Sequence, residues 1–136
     1  MLQKLSFTEI IGAVQRRINE GTDLDCKDIV PKNVPVPFCS VELLQHIPDP
    51  SKTMWKEKYE VFVHVFEKGD ESSVPIYTAI KKIEEAMTEY VKLPEGYELI
   101  MQTPTGVQRI LTEEDGTKHA VLGYSFTVCY GFKMKY

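Results

Sequence analysis

The stretch "HAVLGYSFTVCYGFKMKY", residues 119–136, decides the fold. From Ala120 onward every second residue is apolar or aromatic: Ala120, Leu122, Tyr124, Phe126, Val128, Tyr130, Phe132, Met134 and Tyr136. After Val121 the intervening positions are Gly123, Ser125, Thr127, Cys129, Gly131, Lys133 and Lys135. A period of two is that of a β-strand. At about 3.3 Å per residue the run would extend about 55 Å, whereas typical strands span about 17–20 Å. Such a strand either coils over its own core or reaches past it to a partner.

The residues before it supply pairing partners. "YELIMQ" (Tyr97–Gln102) and "VQRILT" (Val107–Thr112) read as strands joined by a turn at "TPTG", and Asp115-Gly116 within "EEDGT" suits a hairpin turn. Further upstream, "MWKEKYEVFVHVFEKGD" alternates, with Trp55, Tyr59, Val61, Val63 and Val65 on one side. Its other side carries Lys56, Lys58, Glu60, Phe62, His64 and Phe66, a change from charged to apolar that suits a strand wet at one end and covered at the other. "FCSVELL" (Phe38–Leu44) reads as a short strand, followed by a loop, "QHIPDPSKT", that contains His46.

Two helices complete the pattern. Ser6 and Glu9 form a capping box ahead of a stripe of Phe7, Ile10, Ile11, Val14 and Ile18, stopped at Gly21. Ser73 is placed to cap a second helix, with Pro75 in its first turn, the stripe Ile76, Ile80, Ile83, Met87, Tyr90 and Val91, and a stop at "PEG" (94–96). Between Thr22 and Pro37, three prolines forbid a helix and give an extended linker. The expected class is α+β: two amphipathic helices on a mostly antiparallel sheet, in the order α-β-β-α-β-β-β. The helix between the second and third strands leaves a mixed sheet open.

The chain of 136 residues suits a single domain, 1–136, with 22–37 as a linker inside it and 130–136 as a protruding terminal strand. A net charge of −4 argues against nonspecific binding to nucleic acid. No run reaches the roughly 20 apolar residues of a membrane span, and "MLQKLSFTEIIGAV" lacks a signal-peptide core, so a cytoplasmic location is expected. Cys26, Cys39 and Cys129 have no CxxC spacing and are read as reduced, packed thiols. His46, His64 and His119 lack the spacing of a metal site, and Asp23, Asp25 and Asp28 lack the glycine and closing glutamate of a calcium loop. His64 is read as part of a sheet face and His119 as a strand start. No phosphate loop, nucleophile elbow or cofactor motif is present. These observations favour a structural role without metal or cofactor over an enzyme. The competing class is a small-molecule-binding domain with a pocket lined by Tyr77, Met87, Tyr124 and Phe126.

The combination of "VPVPFCSVEL", "WKEKYEVFVHVFE", "VPIYTAIKKIEEAM" and "GVQRILTEEDGTKHAVLGYSFTVCYG" resembles the small tail components of siphophages and prophages, the tail terminator or tail-to-head joining proteins. The resemblance runs from Leu5 to Gly131 and lies in the order and spacing of elements. It implies an α+β fold and a hexameric ring, with subunits that can be monomeric when free. That ring would cap the tail tube, meet the head-side connector, and sit in the virion after assembly in the host bacterial cytoplasm. It brings no catalytic residues, and another head-completion or neck role stays open. On this reading Leu122–Val128 pack the core, and Tyr130, Phe132, Met134 and Tyr136 reach a neighbouring subunit or tail partner, with Gly123 or Gly131 supplying a bend. Glu113, Glu114 and Asp115 at the hairpin tip would face a mildly acidic lumen through which DNA passes without being gripped.

Overall fold

The computed structural model describes residues 1–27, 35–69 and 72–134. Helix α1 (Phe7–Gly21) starts where Ser6 Oγ accepts the amide of Glu9 at 3.1 Å. It buries Ile10, Ala13, Val14 and Ile18, while Phe7 stays half exposed. After a two-residue strand β1 (Cys26–Lys27) come β2 (Phe38–Pro48) and β3 (Met54–Glu67), then helix α2 (Val74–Ala86), and finally β4 (Glu98–Thr112) and β5 (Lys118–Phe132). The strands form one sheet in the order β1-β2-β3-β5-β4. Only the β1–β2 pair is parallel; the other three are antiparallel. Two helices on a five-stranded, mostly antiparallel sheet is the expected class.

The five strands are partitioned differently from the sequence reading. Residues 97–102 and 107–112 are not two strands around a turn: β4 runs through "TPTG" and absorbs it as register shifts at Leu99/Met101, Pro104/Gly106 and Val107/Arg109. An edge strand tolerates this, because a proline there forfeits no ladder bond and Gly106, at φ +97°, takes a backbone conformation open to glycine. The expected linker contributes β1, while residues 28–34 lie outside the described part. β2 extends to Pro48, so His46 belongs to a strand.

Helix α2 stops at Ala86, before "PEG". Gln102 of β4 explains the early stop: its amide donates to the carbonyls of Met87 and Glu89 and its oxygen accepts the Val91 N–H, which ends the helix by side chain instead of by sequence-local signals. Met87 and Val91 remain buried, but Tyr90 is exposed. At the other end Ser73 makes no side-chain cap; Ser72 Oγ accepts the Val74 amide instead.

Both helical stripes share a core with Cys39, Val41, Tyr59, Val61, Val63 and Val65 and with Ala120, Leu122, Tyr124, Phe126 and Val128. β5 is buried on its second face too, at Val121, Ser125, Thr127 and Cys129. The sheet order accounts for this, since β5 lies between β3 and β4 and pairs with both along nearly its whole length. Gly123 belongs to that packing. A Cβ there would run into Thr105 Oγ1, whose side chain, on the neighbouring strand β4, lies over Gly123. Gly123→Val is therefore expected to cost about 1–3 kcal/mol, seen as a lower urea midpoint at unchanged slope; an unchanged midpoint would show that β4 stands clear of β5.

The three cysteines are buried. Cys26 and Cys39 face each other across β1 and β2 with sulfurs 2.7 Å apart. The contact with Cys26, together with burial, pushes the Cys39 thiol far above its ordinary value.

Candidate assembly surface

The length of β5 sets up the surface. Helices of 15 and 13 residues cover about 22 and 20 Å, whereas 15 strand residues extend about 50 Å. Core-face residues from Ala120 to Val128 lie under the helices, and the strand's last residues lie beyond them. Tyr130 is half-buried, Phe132 is 61% exposed and Met134 74% exposed. Tyr136 lies outside the described residues.

The strand does not leave its sheet. Phe132 still pairs with Met54, and the Lys133 amide donates to Thr53 O at 2.8 Å, so the expected protrusion begins no earlier than residue 134. The physical reason is β3, which is almost as long as β5 and offers partners to its end. A bulge opposite Trp55 and Lys56 does occur, at Tyr130, beside one of the two expected glycines.

Around this end gather other apolar side chains. Leu2 is 52% exposed and lies against Gly131, where a Cβ would meet its methyl groups. Trp55, paired with Gly131, carries the Lys133 ammonium 4.5 Å from its ring centre. Leu2, Tyr97, Tyr130, Phe132 and Met134 line a groove of about 530 Å³. Apolar side chains exposed together in this way mark an interaction site more often than an ordinary monomer surface.

Buried polar groups hold the floor of this surface in place. Glu57 is 2% exposed on the core face, with Lys4 Nζ at 3.0 Å and His46 Nε2 at 2.8 Å on its two oxygens. The hydrogen bond to Glu57 and its charge raise the Lys4 amine above its ordinary value. Tyr59 donates to Leu5 O at 2.8 Å and Tyr97 to Lys4 O at 3.2 Å, pinning residues 2–5 across the sheet end. Burial pushes the Tyr59 hydroxyl up to about 12. Sequence reading missed Glu57, although its parity with Tyr59 placed it on the core side.

Further apolar side chains are exposed along the outer strand. Ile100, Met101, Val107 and Ile110 of β4 are all more than a third exposed, but on two faces: Ile100 and Met101 line a groove with Ser125 and Thr127, while Val107 and Ile110 pair with Leu122 and Ala120 on the helix side. The register shifts and Pro104 interrupt the free edge of β4, devices that discourage main-chain pairing with another strand. Contact there falls to side chains.

The acidic tip is at the opposite end of β5, about 45 Å from Phe132, so the structure does not bring the two candidate groups together. Glu113 Oε1 accepts from His119 Nδ1 at 3.0 Å. Asp115 Oδ1 accepts the Thr117 amide, which lowers its carboxyl below the usual range. Two of the three carboxylates therefore fix the tip itself, and Glu114 is exposed at its apex. The residues of the competing ligand pocket do not share a cavity: Met87, Tyr124 and Phe126 are buried in the core, while Tyr77 is 56% exposed.

The sheet thus carries an exposed apolar groove at one end and an acidic tip at the other. The family described as "Putative tail termination protein" matches residues 1–136, so the chain belongs to that phage tail terminator family. It is a phage tail protein, a component of the virion tail or its joint with the head. No curated protein matches the sequence. A chain of the "Virion of native gene transfer agent (GTA) particle" has the same fold, with a TM-score of 0.63 at 15% identity, covering 91% of this chain and 99% of that one.

Proposed function

We propose that six copies of this chain close a ring that ends tail growth by capping the tube and offers its other face to the head-side connector, working by contact alone and without catalysis. The observation that carries the reading is the presence of two separate apolar surfaces on one subunit. A closed ring of identical subunits needs a head-to-tail interface, in which two different patches of each copy meet. The end of β5, with Leu2, Trp55, Phe132 and Met134, is one such patch, and the edge strand β4, which exposes Ile100 and Met101 on one face and Val107 and Ile110 on the other, is the second. Family membership supports the tube as the target.

The test is to polymerise the cognate tube protein with and without this chain and to measure tube length by electron microscopy. Growth is expected to stop, with a ring at one tube end, when the chain is present. Tubes that keep growing at the same rate, bare at both ends, would overturn the reading and turn attention to a neck role nearer the head.

A further inference from the structure

Four titratable side chains, three on the sheet face opposite the core and one at the β4–β5 tip, form an unbroken relay. His64 Nε2 lies 2.9 Å from Glu42 Oε1, His64 Nδ1 lies 2.8 Å from His119 Nε2, and His119 Nδ1 lies 3.0 Å from Glu113 Oε1. The two imidazoles are 19% and 14% exposed. Phe66 stacks on His119 with ring centres 4.2 Å apart, and Phe62 meets His64 edge-on.

Counting protons decides what this arrangement binds. A carboxylate only accepts, so His64 carries a hydrogen on Nε2 and His119 one on Nδ1. If both rings are neutral, their remaining nitrogens face each other as two lone pairs, 2.8 Å apart. If both are cationic, two N–H groups face each other. Only one additional proton, shared between the rings, completes all three hydrogen bonds. A zinc ion bound by both nitrogens at about 2.0–2.1 Å would hold them roughly 3.3 Å apart in tetrahedral geometry, whereas 2.8 Å suits an N–H···N hydrogen bond.

We infer that Glu42, His64, His119 and Glu113 form a binding site for a single proton, and that this proton latches the β4–β5 hairpin tip to β2 and β3. The latch joins four places in the chain: Glu42 on β2, His64 on β3, His119 on β5 and Glu113 at the tip. Other charges nearby are Arg109 on β4, Lys118 on β5, Glu67 on β3, and Glu9 and Arg16 of α1, which line the same groove as the two histidines. Lys118 is occupied with Thr112 Oγ1 at 2.7 Å, and Arg109 repels added positive charge.

The pH dependence has two arms. The shared proton completes the three hydrogen bonds only in the folded pair, so the latch is lost at high pH, where both rings are neutral and their facing nitrogens have no proton between them. A second proton is resisted: burial, then the neighbouring His64 and Arg109, lower the His119 value against the pull of Glu113. Stability therefore also falls as pH drops through the lower step, because the unfolded chain takes that proton more readily. The latch is strongest between the two steps.

The experiment is an imidazole ¹H–¹⁵N NMR titration of the full chain from pH 4.5 to 9. His64 and His119 are expected to report the same two inflections, more than about one pH unit apart. Glu113→Gln, a change at the exposed tip, should lower the upper inflection by about one unit. His119→Gln should leave His64 with a single inflection. Independent single inflections in the wild-type chain, or an upper inflection that Glu113→Gln does not move, would overturn the proposal. So would equimolar zinc chloride perturbing both rings at pH 7, which would make the site a metal site.

Discussion

Phe126→Ala is expected to lower the unfolding free energy by about 3–5 kcal/mol, whereas Ile110→Ala should change it by no more than about 0.5 kcal/mol. Both residues belong to long strands of the same hairpin, and sequence pattern alone treats them alike. The difference comes from sheet order. Phe126 sits on β5 between β3 and β4, is wholly buried, and shares the core with Tyr59 and Tyr124. Truncating it removes apolar contact and leaves a cavity that surrounding strands, paired on both sides, cannot collapse to fill. Ile110 lies on the edge strand and is 45% exposed, so its loss uncovers little. Urea denaturation of both variants checks this. Equal losses would mean that β4 is covered in the free protein, or that β5 is not central.

The class of fold was legible because the alternation in β3 and β5 and the two helical stripes are local patterns. What was illegible depended on partners distant in sequence. Nothing within residues 87–96 announces that Gln102 will end α2 early. The Thr-Pro-Thr-Gly run carries every local sign of a turn, and only its place on an edge strand lets it become bulges. His64 and His119 are separated by 55 positions and meet because β3 and β5 pair in one register, with His119 opposite Phe66 and beside His64. The apolar end of β5 was visible as alternation that outlasts a normal strand. Its continued pairing with β3 was not, because pairing depends on the length of a second strand.

Replacing both Phe132 and Met134 by Asp is expected to abolish capping while leaving the fold intact. The two side chains are 61% and 74% exposed, so the free protein loses little from the change, within about 0.5 kcal/mol per site. In the proposed ring the same positions would be desolvated. A carboxylate buried there without a partner opposes assembly, and central apolar anchors of interfaces are typically worth about 2 kcal/mol or more each. At tenfold per 1.4 kcal/mol, the concentration needed for half-maximal capping should rise by about 100-fold or more. Circular dichroism would confirm folding, and tube-length distributions would read capping. The more conservative pair Phe132→Leu and Met134→Leu should retain it. Normal capping by the aspartate variant would remove the end of β5 from the interface.

The most direct measurement places a photo-crosslinking residue at position 132 in one preparation and at position 114 in another, irradiates capped tubes, and identifies the products by mass spectrometry. The proposed ring predicts that position 132 crosslinks to a second copy of the chain, at or near Ile100, Met101, Val107 or Ile110. Crosslinks between copies from position 114 with none from position 132 would contradict the proposed interface.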